Sequence, residues 1–342
     1  MSQPVIENLD QSMRSCEACG NRSFSILLDH LKHAYRSNGE SKEWQYRLLE
    51  CKSCGLGFVA PTPGWELLQT FYEEDYGNFD GSSAANLHNA HSLKYRIAKL
   101  RTARIVSDGL KARVKASLGA LAEWATGRTI PYTLSIPLQL HKDAYILDVG
   151  YGSGNWLLAM SELGYGNLYG YDIEVNTQNL SRLRDKGINV SSGLFLENEY
   201  PHEMFDCIRL DHVFEHLLDP IQILKKCKRL LKPDGLLVMS FPCKNSWSMR
   251  LSLTDSPALQ VPKHLYHHTQ LSTRLMLEAA GFIPLKIHAY SVASQLGGTV
   301  NKMLEERNSR RIPLLVFEMA SPVYKLFGAL TGKGDFMTVW AK

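Results

Sequence analysis

Three alternating glycines, Gly150, Gly152 and Gly154, follow a short apolar run and precede a segment with helical spacing. A glycine turn between a strand and a helix lets the backbone approach a ligand closely, and the helix N-terminus adds N–H donors. Asp172 ends the next apolar run, 24 residues after Asp148. A carboxylate at that place can accept hydrogen bonds from both ribose hydroxyls of an adenosine. The pattern therefore predicts a ligand that contains a nucleoside.

The spacing of the glycines argues against a dinucleotide. The dinucleotide fingerprint Gly-x-Gly-x-x-Gly needs its third glycine where this chain has Asn155. Asp148 would also face a pyrophosphate in an unfavourable like-charge contact, whereas it suits the ammonium group of a methionine moiety. We therefore predict that S-adenosylmethionine binds here. The alternative is a glycine turn that only packs a helix on a sheet.

Two Cys-x-x-Cys pairs lie near the N-terminus, and each is followed by a glycine. The cysteines are Cys16, Cys19, Cys51 and Cys54. Each pair can hold one side of a tetrahedral ion from a turn, and four thiolates with no open position make a structural zinc site. Two redox or free-thiol pairs are the alternative. The odd total of seven cysteines favours a reducing compartment, so we expect a cytoplasmic protein.

Histidines supply the candidate catalytic groups. Methyl transfer to a hydroxyl requires alignment of the acceptor and removal of its proton, and histidine is the natural base near neutral pH. The candidates are His264, His216 and His212. His264 begins a cluster with His267 and His268 after the fifth predicted strand, at the end where ligands of open α/β sheets bind. A structural role is the alternative for each histidine, and a metal on the cluster is disfavoured because no nearby carboxylate completes it.

Strand and helix signals alternate from residue 144 onward. Strands are predicted over residues 145–149, 167–172, 205–210, 236–241 and 336–341, with another beginning near residue 282. Helices are predicted over residues 155–163, 176–186, 220–231 and 272–280. This alternation predicts a parallel sheet with helices on both faces.

The chain divides into three predicted parts. Residues 1–62 form a zinc-binding module, residues 63–142 a helical connector or lid, and residues 143–342 an α/β domain. A helical segment is inserted at about residues 291–334. Within it, residues 312–330 are apolar enough to cover a pocket or to make a peripheral membrane contact. Ordinary packing is favoured because Pro322 interrupts the amphipathic stretch.

The composition of the 342 residues is that of an ordered globular protein, with a formal net charge of +4. No Lys/Arg block marks a nucleic-acid footprint, so a nucleic-acid partner is not expected. The N-terminus lacks the pattern of a secretory signal, and no window approaches about 20 uninterrupted apolar residues.

Four motifs together identify a family resemblance. They are Ile-Leu-Asp-Val-Gly-Tyr-Gly-Ser-Gly ending at Gly154, Tyr-Gly-Tyr-Asp ending at Asp172, Val-Phe-Glu-His-Leu-Leu-Asp-Pro ending at Pro220, and Leu-Leu-Lys-Pro-Asp-Gly ending at Gly235. With them, residues 146–241 resemble a class I S-adenosylmethionine-dependent methyltransferase of the group that contains ubiquinone-biosynthesis O-methyltransferases. The preceding zinc module also resembles that of sugar and secondary-metabolite methyltransferases. Tyr151 and Asp234 depart from the family pattern.

This resemblance implies the fold and the roles of several residues. The implied fold is a Rossmann-like, doubly wound, seven-stranded α/β sheet with an antiparallel last strand, preceded by a small zinc-ribbon-like module and a helical segment. The three glycines would line the methionine and ribose, and Asp172 would hold the ribose. Leu194 and Phe195 would flank the adenine, while Asp211 and His212 would lie at the mouth of the fourth strand.

We therefore expect methyl transfer from S-adenosylmethionine to a small-molecule acceptor, first of all a hydroxyl of a sugar or related metabolite. One alternative is an RNA methyltransferase that grips RNA with its zinc module, although residues 15–60 carry mixed charge. Another alternative is a non-catalytic partner subunit that binds the cofactor.

Overall fold

The computed structural model describes residues 15–37, 40–64, 140–174 and 177–342, together with scattered positions between residues 67 and 122. Those scattered positions are helical. The rest of the predicted connector lies outside the described residues.

Apart from those scattered positions, the described residues form eleven strands and seven α-helices. The strands are β1 (Phe24–Ser37), β2 (Glu40–Cys51), β3 (Gly57–Ala60), β4 (Tyr145–Val149), β5 (Asn167–Asp172), β6 (Asn189–Ser192), β7 (Phe205–Asp211), β8 (Leu231–Pro242), β9 (Tyr266–His267), β10 (Pro284–Tyr290) and β11 (Phe336–Ala341). The helices are α1 (Asn155–Glu162), α2 (Thr177–Asp185), α3 (Pro220–Leu230), α4 (Trp247–Leu251), α5 (Gln270–Ala279), α6 (Ala293–Glu306) and α7 (Leu314–Thr331). Two short 3₁₀ helices cover Phe195–Glu197 and Phe214–His216.

The larger sheet has seven strands in the order β10-β11-β8-β7-β4-β5-β6. Strands β4, β5, β6, β7 and β8 are parallel to one another, and β11 is antiparallel to both β8 and β10. This confirms the predicted doubly wound sheet with an antiparallel last strand. The carboxyl ends of the parallel strands share one edge, where open sheets of this kind bind ligands.

Both faces of the central strand β4 are buried. Ile146 and Leu147 are fully inaccessible and belong to two different hydrophobic clusters, because successive side chains of a strand point to opposite faces. Helix α1 covers one face, and Trp156 packs there together with Ile146. Burial on both faces explains why β4 is an almost continuous apolar run.

The smaller sheet joins the N-terminal module to the α/β domain. Strands β1, β2, β3 and β9 follow one another as antiparallel neighbours. The long β1–β2 hairpin accommodates most of the residues between the two cysteine pairs. Strand β9 lies about 200 residues further along the chain, and its Tyr266 and His267 pair with Phe58 and Gly57 of β3.

The segment between β10 and β11 forms a helical hairpin where a helical insertion was predicted, but the prediction that Pro322 interrupts it was wrong. Helix α7 continues through Pro322 instead of breaking there, and it packs against α6. Most of its apolar side chains are exposed, which also differs from the expected ordinary packing. Among the described residues, α7 alone is long and apolar enough to pass a length-and-composition test for a membrane span.

Candidate active site

The glycine loop lies at the carboxyl end of β4, between that strand and α1. Gly150, Gly152 and Gly154 have φ angles of 72°, 51° and 71°, in the left-handed region that residues with a Cβ rarely adopt. A Cβ on Gly150 would lie 2.3 Å from Cγ2 of Val213, which follows β7. The loop therefore needs glycine both for its backbone conformation and for its contact with the end of β7.

Asp172 ends β5 beside this loop. One of its carboxylate oxygens accepts a hydrogen bond from the Gly152 N–H at 2.8 Å, and the other accepts from the Ile173 N–H at 2.8 Å. The parallel pairing of β4 with β5 brings Asp172 to the loop from 20 residues away. The structure thus joins the two features from which the sequence predicted an adenosine site.

Asp148 lies in β4 directly before the glycine loop, and its side chain points into the domain interior. Its side chain is fully buried, and its Oδ1 accepts a hydrogen bond from Arg209 Nη1 at 2.6 Å. Burial raises the pKa of Asp148 to about 7, although the Arg209 guanidinium acts to lower it. Arg209 thus engages Oδ1, whereas Oδ2 is buried and makes no hydrogen bond to the described residues, so a contact of Asp148 with an ammonium group stays a prediction.

Arg209 is a site residue that the sequence reasoning missed. Its Nη2 donates to Asp211 Oδ2 at 2.5 Å, so one guanidinium joins Asp148 to the acid at the end of β7. The guanidinium also lies over the Trp156 ring, 4.4 Å from its centroid. The available signal was a single cation inside an apolar strand, since a buried charge has to be paired.

The two residues expected to flank adenine differ in exposure. Leu194 is 44% exposed, whereas Phe195 is buried against Tyr171, with ring centroids 5.3 Å apart. The Tyr171 hydroxyl donates to the Leu194 carbonyl at 3.3 Å, which ties this segment to β5. Leu194 therefore presents the accessible surface, and Phe195 supports it from the core.

His212 follows β7 and has an unusual backbone conformation. Its φ is 55°, and its N–H donates to the Ser240 carbonyl at 2.8 Å. The imidazole Nδ1 lies 3.3 Å from Glu215 Oε1. Burial acts to lower the pKa of His212, but the Glu215 carboxylate and Asp211 outweigh it and raise the pKa to about 9. A left-handed histidine at the carboxyl edge of the sheet is typical of a functional position.

Glu215, His216 and His264 form a compact cluster. One possible ligand atom of each lies within 4.8 Å of the others, so the group has the donor types and spacing of a divalent-metal site. Nδ1 of His216 donates to the Lys263 carbonyl and Nδ1 of His264 to the Ala258 carbonyl, both at 2.9 Å. Each imidazole therefore keeps its Nε2 lone pair for another partner.

The carboxylate of this cluster was missed when the histidines were assessed from sequence. Glu215 is buried, and its Oε2 makes no hydrogen bond to the described residues. Burial acts to raise its pKa, but His212 and the neighbouring histidines outweigh burial and lower it to about 2. Burial and the neighbouring His216 lower the pKa of His264 to about 4. The cluster thus combines an ionised carboxylate with a neutral imidazole at neutral pH.

His267 and His268 are core residues. Both are buried, and His268 packs against Phe214 and Phe241 with ring centroids 4.7 and 4.9 Å apart. Burial lowers the pKa of His268 to about 4 and the pKa of His267 well below its usual range. His268 is enclosed by aromatic rings, whereas His267 is about as buried as His264, at 3% and 4% exposure.

The four paired cysteines converge on one point. Sγ of Cys16 lies 3.6 Å from Sγ of Cys54, and Sγ of Cys19 lies 3.5 Å from Sγ of Cys51. These distances approach the roughly 3.8 Å edge of a tetrahedron with Zn–S bonds of about 2.3 Å. Backbone N–H groups cap both turns, as in the bond from Gly20 N–H to the Cys16 carbonyl at 2.7 Å. The donor set and the spacing fit zinc.

The cysteine module contacts the histidine segment directly. The Thr269 hydroxyl donates to the Cys54 carbonyl at 2.7 Å, and the Leu265 carbonyl accepts from the Val59 N–H at 3.0 Å. Lys244, whose side chain is buried, forms an ion pair with Glu50 of β2. The module therefore supports the segment that carries His264 to His268.

Comparison with known proteins identifies the domain. A family described as "Methyltransferase domain" matches residues 121–286. A ubiquinone biosynthesis O-methyltransferase from Actinobacillus pleuropneumoniae is 34% identical over 104 residues, which cover 28% of this chain and 44% of that protein. A protein of transposon TN4556 from Streptomyces fradiae is 30% identical over 183 residues, covering 48% of this chain and 51% of its own. The chain spans about half the length of these relatives.

Solved structures of similar fold include S-adenosylmethionine-dependent methyltransferases from two organisms. The Mesorhizobium loti protein is 17% identical with a TM-score of 0.41, covering 64% of this chain and 96% of its own. The Archaeoglobus fulgidus protein is 20% identical with a TM-score of 0.40, and the match covers 58% of this chain and 86% of that protein.

Proposed function

We propose that this chain, whose residues 121–286 match a methyltransferase domain, is a class I S-adenosylmethionine-dependent methyltransferase that transfers a methyl group from S-adenosylmethionine to a hydroxyl of a small-molecule acceptor. The observation that carries the proposal is the left-handed glycine loop hydrogen-bonded to Asp172 at the carboxyl edge of the sheet. The relative named as an O-methyltransferase supports transfer to oxygen.

For the cofactor, we assign the methionine and ribose to Gly150, Gly152 and Gly154. Each carboxylate oxygen of Asp172 has a further lone pair beyond its backbone hydrogen bond, so both can accept from ribose hydroxyls. The exposed Leu194 would contact the adenine, with Phe195 behind it.

The ammonium group is better assigned to Asp211 than to Asp148. Asp211 lies at the end of β7 with a partly exposed side chain, and one of its oxygens is held by Arg209. Asp148 then acts indirectly, because it holds the Arg209 guanidinium that orients Asp211.

When bound, S-adenosylmethionine supplies a methyl group on a positively charged sulfur, open to in-line displacement by the acceptor oxygen. His264 is neutral at neutral pH, and its tautomer leaves Nε2 ready to take the hydroxyl proton. His216 has the same tautomer and a more open position. His212 is protonated at neutral pH, so we assign it to charge stabilisation rather than to proton removal.

We propose zinc as the occupant of the four-cysteine cluster. A closed set of four thiolates leaves no position for a substrate, so the ion would be structural. It would stiffen the module whose strand β3 pairs with β9, and in this way position His264. A four-thiolate site and three further cysteines that form no disulfide suit a reducing compartment, and we retain the cytoplasm as the proposed location.

The acceptor class is open to direct test, with sugars as the first candidates. The pairing of the β3 edge with β9 supports a positioning role for the module over a grip on RNA. Full-length protein would be incubated with methyl-labelled S-adenosylmethionine and separate panels of nucleotide sugars, phenols and RNA. Label on a hydroxylated small molecule is the expected result. Label on RNA alone, or cofactor binding without transfer to any acceptor, would favour the RNA enzyme or the non-catalytic subunit.

The base assignment has its own test. Replacement of His264 by Gln should lower turnover by about 10²–10⁴-fold while leaving S-adenosylmethionine affinity unchanged. His216→Gln should give a smaller loss if His264 takes the proton. His202→Gln, at an exposed position, is the matched control. Full activity of His264→Gln would remove this residue as the base.

A further inference from the structure

Helix α7 presents an unusually apolar surface. Its only charged residues are Glu318 and Lys325. The side chains that we call its apolar face are exposed and large: Leu314, Leu315, Val316, Met319, Val323, Leu326, Phe327 and Leu330. Met319 and Leu330 are 76% and 77% exposed. A contiguous exposed apolar surface of this kind marks an interaction site.

The opposite side of α7 is firmly attached to the domain. The Tyr324 hydroxyl donates to Asp335 Oδ1 at 2.9 Å, and the same buried carboxylate accepts from Ser248 Oγ at 2.6 Å. Gly328 approaches the residue that follows β10 so closely that a Cβ there would lie 1.9 Å from Ser291 Oγ. These contacts fix the rotation of the helix about its axis, so the apolar face is held outward.

Positive charge flanks the apolar face at both ends. Arg307, Arg310 and Arg311 precede α7 and Lys333 follows it, although with the neighbouring acids the whole of residues 305–335 has a net charge of only 5 − 4 = +1. Arg311 pairs with Glu305. Arg307 and Arg310 are exposed and form no ion pair within the described part of the chain.

An aromatic pair lies beside the C-terminal end of the helix. The ring centroid of Trp247 is 4.8 Å from that of Phe327, and Lys333 Nζ lies 4.7 Å from the centroid of the Trp247 ring. Tryptophan with a neighbouring lysine is favoured at the boundary between lipid headgroups and acyl chains.

We propose that α7 docks this protein onto an anionic lipid surface, with its apolar face in the headgroup boundary and its basic flanks on the headgroups. The apolar face, the flanking cations and the tryptophan are the features of an interfacial helix. The helix cannot span a membrane in this fold, because β10 and β11 on either side of the hairpin pair with each other in one sheet. A second copy is disfavoured, because a two-fold contact would bring like charges together.

Docking would bring the end of the sheet that carries the candidate histidines towards the membrane. The hairpin leaves the sheet at Tyr290 and returns at Phe336, which pairs with Pro242 at the carboxyl end of β8. The His212 ring lies 5.3 Å from the ring of Phe336. A lipid-borne acceptor would therefore reach the candidate histidines from the docked side. That consequence rests on the proposed function, whereas docking itself does not.

Flotation with vesicles tests the proposal directly. Full-length protein should float with vesicles of phosphatidylglycerol and phosphatidylcholine in equal parts. On phosphatidylcholine alone, binding should be at least about tenfold weaker. Met319→Glu/Val323→Glu should reduce binding to the anionic vesicles at least about tenfold. Ile283→Glu is the control, because it replaces a large apolar residue that is 70% exposed just before β10 and away from α7, and it should bind like the unmodified protein.

A charge variant keeps the test independent of the apolar substitutions. Arg307→Gln/Arg310→Gln should weaken binding about fivefold to thirtyfold and reduce its dependence on salt. S-adenosylmethionine titration on each variant reports separately whether the cofactor site is intact. Failure of the unmodified protein to bind anionic vesicles, or equal binding by Met319→Glu/Val323→Glu, would overturn the proposal. Dimers that Met319→Glu/Val323→Glu dissociates, without vesicle binding, would assign the face to a second copy.

Discussion

The cofactor side and the acceptor side of this site are built in different ways. The glycine loop and Asp172 of the cofactor side come from one contiguous strand, loop, helix and strand, from β4 to β5, and Leu194 and Asp211 join them from later in the chain. The acceptor side combines the end of β7, the segment before β9 and the cysteine module, which are far apart in sequence. Motif spacing can therefore predict the first side, whereas the second depends on tertiary pairing.

The two sides also differ in their electrostatics. On the cofactor side, the buried acid Asp148 is matched by the buried cation Arg209. On the acceptor side, Glu215 lies among histidines whose burial keeps most of them neutral. Substitutions on the two sides should therefore respond differently to pH and to the loss of zinc.

The largest expected effect is a loss of stability when the buried ion pair of the cofactor side is broken. Arg209→Met leaves Asp148 buried without its cation, and we expect a loss of about 3–5 kcal/mol in the free energy of unfolding. Denaturant unfolding at pH 7 measures it. The double variant Asp148→Asn/Arg209→Met should recover part of the loss. Arg229→Met, at an exposed position, is the control, and an equal stability of the two single variants would contradict the pairing.

Loss of the proposed zinc ion should lower acceptor turnover while leaving cofactor affinity nearly unchanged. Cys51→Ser should lower acceptor turnover about 10²-fold because the support of the β9 segment is displaced. S-adenosylmethionine affinity should stay within about threefold, since the cofactor side makes no use of the module. Chelation followed by zinc addition should reproduce the loss and restore activity. A parallel loss of cofactor affinity would show that the sides are not separable.

A smaller effect on the free energy of unfolding should appear at acidic pH. His268 has a folded-state pKa of about 4, below the usual 6.5 of histidine, so it stabilises the fold above pH 6.5. That stability is lost as the pH falls from 6.5 towards 4, by up to about 1.4 kcal/mol per pH unit. His268→Leu should remove this loss, so its stability relative to the unmodified protein should rise as the pH falls. Parallel stability curves between pH 7 and pH 4.5 would refute the account of His268.

The sequence alone predicts the features that depend on residues close together in the chain. The strands of the sheet, the N-cap at Asp219 and the glycine loop follow from apolar periodicity, capping and backbone freedom. The short strand β6 was missed because its residues are polar and half-exposed. Asp172 was recognised because its distance along the chain reflects one β-α-β unit.

Other features required the three-dimensional structure. The pairing of Arg209 with Asp148 joins residues 61 apart, and the meeting of Glu215 with His264 depends on how β7 and the β9 segment are packed. The exposed face of α7 could not be predicted, because an apolar helix in sequence is equally consistent with burial.

Titration of S-adenosylmethionine into the full-length protein and Asp172→Ala tests the central claim most directly. The account predicts saturable binding of one molecule per chain, weakened about 10–100-fold in Asp172→Ala through the loss of hydrogen bonds to a charged group. Asp185→Ala, which removes an exposed acid at the end of α2, should bind like the unmodified protein. Absence of binding by the unmodified protein, or an unchanged affinity in Asp172→Ala, would contradict the assigned cofactor site.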